Sequence, residues 1–63
     1  MPVVDNILAY CERNGITVRN FEKQCGLPNS LVARWRDGVC QPSLRSLKKI
    51  EERTQIPIAK WIK

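Results

Sequence analysis

The chain has no histidine, and its three cysteines, at positions 11, 25 and 40, are an odd number set far apart. Without histidine or a C-x-x-C pair, the usual ligand set of a zinc site is missing. A small secreted scaffold would use an even set of cysteines, so no disulfide framework is expected either. Cys11 and Cys25 read as small buried hydrophobes and Cys40 as a loop residue. Long apolar runs are lacking as well, and nothing approaches the ~20 residues that a membrane span needs. The opening "MPVVDNILAYCERNG" has an early Asp5, no basic leader and no small-residue cleavage pattern. No signal peptide is therefore expected, and a cytoplasmic setting follows. Strand signals are absent too, because no stretch alternates β-branched and polar residues between turns. An enzyme is not expected: there is no histidine, no glycine-rich phosphate loop and no carboxylate pair with an obvious pocket. A domain this small would also struggle to enclose a substrate. No catalytic residue, metal or cofactor is implied.

Acidic residues are the scarce charge. Six Asp and Glu stand against eleven Lys and Arg, a net charge of +5. Such a balance suits a polyanionic partner, either nucleic acid or an anionic membrane surface. Between residues 34 and 49 the excess is sharper, with Arg34, Arg36, Arg45, Lys48 and Lys49 opposed by Asp37 alone.

What the chain does have is helical punctuation. Its 63 residues, 43% hydrophobic, suit one domain spanning 1–63 with a single small core. Asn14-Gly15, Gly26-Leu27-Pro28, Asp37-Gly38, Gln41-Pro42 and Pro57 divide the chain into five segments that read at helical period. The first, about Val3 to Arg13, carries the stripe Val4, Ile7, Leu8 and Cys11. Thr17 is the expected N-cap of the second, Val18 to Gln24, whose apolar side is Val18, Phe21 and Cys25. The third runs from about Asn29 to Arg36 with Leu31, Val32 and Trp35 inward, and Pro28 fits at its start. Ser43 is the expected cap of the fourth, with Leu44, Leu47 and Ile50 inward. The last is a turn or two from Pro57, with Ile58, Trp61 and Ile62 apolar. The expected fold is all-α: a compact domain of five helices with short connections.

The stretch "QCGLPNSLVARW" is the informative one. A helix, a sharp corner holding Gly26 and a second short helix make a helix-turn-helix arrangement. Gly26 suits the corner because a left-handed residue there strains any side chain with a Cβ by about 1 kcal/mol or more. Around it stand Phe21, Cys25, Leu27, Val32 and Trp35, all apolar. With the "P-S-L-x-x-L-x-x-I" opening of the fourth segment and a short helix after "T-Q-I-P", the chain resembles the lambda-repressor/Cro-like (XRE) helix-turn-helix family. The resemblance covers nearly all 63 residues. It departs at Glu22, where many relatives have alanine; a side chain leaning to solvent would fit, a closed site would not.

The resemblance implies double-stranded DNA binding by a transcriptional regulator of the phage repressor or Cro type, with the third helix in the major groove. The residues that match base-facing positions are Asn29, Ser30, Ala33 and Arg34. Their chemistry agrees, since Asn pairs with adenine, Arg with guanine, and a small residue admits a thymine methyl. Phosphate contacts should flank them: Thr17 and Arg19 on one side, Arg36, Ser43 and Arg45 on the other. Lys48 and Lys49 are weaker candidates beside Glu51 and Glu52. For Asn29 and Ser30, helix capping competes with base contact. Trp35 and Trp61 lie on apolar stripes and read as core. For Trp61 a second reading stays open, an exposed patch with Ile58 and Ile62 serving a homodimer on a two-fold operator. Arg13, Lys23 and Arg53 read as solvated faces. The rival reading of the whole is a helix-turn-helix module for protein contact, an antirepressor or accessory subunit.

Overall fold

The computed structural model describes residues 2–63 and contains five helices: α1 (Pro2–Asn14), α2 (Val18–Cys25), α3 (Leu31–Arg36), α4 (Leu44–Thr54) and α5 (Ile58–Trp61). No strand occurs among the described residues, and none of their helices is long and apolar enough to cross a membrane. Pro2 stands in the first turn of α1, where its missing N–H leaves no bond unmade, and Asp5 in that turn complements the helix dipole. The two caps expected from the sequence are present. The Thr17 hydroxyl accepts from the Asn20 N–H at 3.0 Å and the Ser43 hydroxyl from the Ser46 N–H at 3.3 Å.

The helices close on one core in which Ile7, Phe21, Trp35 and Ile50, one from each of α1 to α4, are the largest fully buried side chains. The Cα radius of gyration is 10.4 Å, close to the ~10.6 Å expected of a compact chain of this length. Two stripe positions differ from expectation. Leu8 is 43% exposed while Val3 is buried in its place, and Leu44 is 64% exposed. At 100° per residue Leu8 falls at the edge of the arc shared by Val3, Val4, Ile7 and Cys11. Leu44 lies six residues before Ile50, about 120° round the helix from it, and so points off the core.

The short α5 could not stand alone, since one turn of helix does not repay its nucleation. Hydrogen bonds with α1 and α4 hold it. The Glu51 carboxylate of α4 accepts from the Ile58 N–H at 3.0 Å, and the Asn6 amide of α1 donates to the Trp61 and Lys63 carbonyls at 2.6 and 3.1 Å. Between these, Trp61 is 2% exposed; its indole N–H donates to the Ile56 carbonyl at 3.2 Å. Its ring meets Tyr10 and Phe21 at centroid distances of 5.6 and 6.0 Å, edge-on or tilted. The dimer patch of Ile58, Trp61 and Ile62 is thereby corrected. Trp61 is core, Ile58 is half-buried against it, and only Ile62, 52% exposed, faces outward.

Cys11 and Cys25 are buried free thiols, as expected, and Cys40 is half-buried. Burial pushes the Cys25 thiol up to about 11, with Arg53 opposing the shift and Cys11 adding to it. Burial, then the charge of Glu22, raises Cys11 as well.

Candidate nucleic-acid interface

The corner between α2 and α3 is built from the backbone outward. Gly26 ends α2 in the left-handed conformation, φ 72°, and the Leu27 N–H reaches back to the Glu22 carbonyl at 2.8 Å. A Cβ at Gly26 would meet nothing within 4 Å, so conformation and not space selects glycine there. Leu27 turns into the core, and the Pro28 carbonyl accepts from the Leu31 N–H at 3.3 Å.

α3 begins two residues later than the sequence suggests. Ser30 has φ 65° and ψ 15°, a left-handed backbone that breaks the helical run from Asn29. It occupies the N-cap position, yet its hydroxyl caps nothing. Of the two alternatives left open for Asn29 and Ser30, capping of α3 is not taken up by either side chain.

Glu22 supplies it instead. One of its carboxylate oxygens accepts from the Ser30 N–H at 3.2 Å and the other from the Val32 N–H at 2.9 Å. Glu22 is 3% exposed, so of the two cases the sequence left open, a side chain leaning to solvent or a closed site, the structure has the closed one. A carboxylate from one helix caps the next, where free N–H groups and the helix dipole favour negative charge. This fixes the position of α3 on α2 and offsets the strain of a left-handed serine.

With Leu31, Val32 and Trp35 buried, the opposite arc of α3 presents Arg34 and Arg36 fully and Ala33 partly. Asn29 and Ser30 are exposed just ahead of its first turn. An Arg34 guanidinium nitrogen lies 3.4 Å from the Asn29 carbonyl, a long contact that brings both residues to the same end of the helix. Arg36 pairs with Asp37 at 3.2 Å, both side chains well exposed. Such a surface pair is worth little and exchanges readily for another anion.

The starts of α2 and α4 repeat one arrangement. Thr17-Val18-Arg19 and Ser43-Leu44-Arg45 each place a capping hydroxyl and, two residues on, an exposed arginine, with no acidic residue in the first turn. A cation in a helix's first turn opposes the macrodipole, so neither arginine serves its own helix. Lys49 behaves differently: its ammonium donates to the Gly26 carbonyl at 3.4 Å, at the end of α2. No group of His, Cys, Asp and Glu residues suited to a metal ion occurs among the described residues. Compared with models of protein families, with curated proteins and with solved structures, the chain matches none.

Proposed function

We propose that the chain is a sequence-specific double-stranded DNA-binding regulator of the lambda-repressor/Cro-like type, with α2 and α3 as its helix-turn-helix and α3 entering the major groove. The observation that carries this reading is the polar, basic arc of α3 standing with two capped helix starts that each bear an outward arginine. Base edges fall to Arg34, Ala33, Ser30 and Asn29, and phosphates to Thr17 with Arg19 and to Ser43 with Arg45 and Arg36. The protein acts in the cytoplasm by occupying an operator, as a dimer on two half-sites about one helical turn apart, because one small module buries limited surface. Pairing then draws on exposed apolar side chains such as Ile62 and not on Trp61.

Selection from a random duplex DNA pool at fixed moderate salt tests the reading. An enriched inverted repeat supports it in full, and a single short half-site supports a monomeric reader. Retention without any enriched sequence would overturn it in favour of protein contact.

Two variants divide the interface. Arg34→Ala is expected to lose about 1–3 kcal/mol of discrimination for the selected site while binding random duplex nearly as before. An equal loss on every sequence would make Arg34 a phosphate contact. Arg45→Ala should leave the preferred sequence unchanged and make the dependence of log K on log salt shallower by about 0.9. An unaltered slope would remove Arg45 from the interface.

A further inference from the structure

Beside the corner lies a cleft of about 260 Å³, lined by Arg19, Glu22, Lys23, Leu27 and Asn29. We infer that this cleft is a further DNA-backbone phosphate subsite, in which Lys23 takes the phosphate beyond the one that Thr17 and Arg19 hold at the start of α2; this rests on the DNA-binding reading above.

Three features lead there. Arg19 and Lys23 are four residues apart, so they share one face of α2 about 6 Å apart along its axis. Like charges at that spacing weaken a helix, and neither has a carboxylate within ion-pair distance among the described residues. The arrangement has no return within the fold. Second, the one acidic lining residue is already engaged. Both oxygens of Glu22 accept from the start of α3 and the residue is 3% exposed, so the mouth of the cleft is left to two cations and an amide. Third, the walls suit a charged group better than a base. No aromatic side chain lines the cleft for stacking, and its one apolar residue, Leu27, is buried. The cations therefore run from the first turn of α2 to the corner, alongside the entry to α3.

The test compares Lys23→Gln with Lys60→Gln, an exposed lysine on α5 away from this cleft, using a duplex of the selected sequence across a salt series. Melting curves should first show both variants folded, as expected for exposed positions. The expected result is a slope shallower by about 0.9 for Lys23→Gln alone, with the selected sequence unchanged. If the wild-type chain binds the duplex and Lys23→Gln keeps its slope, the subsite is wrong and the DNA-binding reading stands. An equal change in both variants also overturns it, because the effect would then be one of net charge. Should the wild-type chain bind no duplex even at low salt, the subsite and the functional reading fall together.

Discussion

Trp35→Ala is expected to leave the chain unfolded at 25 °C. Trp35 is 1% exposed and one of the four largest fully buried side chains. Removing so large an aromatic costs about 3–5 kcal/mol, the lost transfer energy plus the cavity left behind. A single core in a chain under ~70 residues supplies only about 3–5 kcal/mol of net stability. The two figures are of one size, so no folded margin remains. Far-UV circular dichroism should show most of the helical signal lost, and heating should show no cooperative transition. A variant that still melted cooperatively near the wild-type temperature would mean that α1 and α3 close over the gap, and that the core is more plastic than its burial suggests.

Glu22→Ala is expected to lower the melting temperature by roughly 10 °C at neutral pH. The carboxylate makes two charge-assisted bonds, one of them to the buried Val32 N–H. Bonds to a charged group are worth about 1.5–3 kcal/mol each, and loss of a helix cap about 0.5–2 kcal/mol. Against that, alanine is the better helix former by under ~0.7 kcal/mol, and the buried charge no longer has to be desolvated. Water can replace the partner of the exposed Ser30 N–H but not that of Val32. A net loss of about 2 kcal/mol follows, and in a domain of this size each kcal/mol shifts melting by about 4–8 °C. Calorimetry or a dichroism melt reads the result. An unchanged melting temperature would show that desolvating the carboxylate offsets everything it gives to α3.

The helix breaks, both hydroxyl caps and the glycine corner were legible in the sequence because each is a local signal. Thr17 and Ser43 bond to N–H groups three residues ahead, and Gly26 ends the helix it belongs to. What escaped was set by contacts across the chain. Glu22 reaches residues eight and ten positions away, a distance no local pattern encodes, and its reach in turn allows Ser30 the left-handed backbone that shortens α3. Trp61 reads as core, but the patch stays open until α1 is in place, since Tyr10 and the Asn6 amide decide which way it turns. Leu8 and Leu44 satisfy an apolar spacing in number but fall at the edge of the arc, where a hydrophobic count cannot separate covered from bare. The candidate interface was legible as a set of residue types. Their arrangement was not, because the shorter α3 puts Asn29 and Ser30 ahead of the helix instead of on it.

The cysteines give the molecule a clock of its own. A thiol reacts as its thiolate, and with a pKa of about 11 only about one Cys25 in ten thousand is ionised at pH 7. An alkylating reagent therefore finds the half-buried Cys40 before the buried thiols and reaches Cys25 chiefly when the helices part, so the rate at which Cys25 is modified counts openings of the core. Alkali acts through the same group. The unfolded thiol ionises near 9 and the folded one only near 11, so the stability held below pH 9 drains away across that interval. Cys40 stands three residues before Ser43, so a dye attached there would sit beside the start of α4, and its emission would change if duplex DNA binds as proposed.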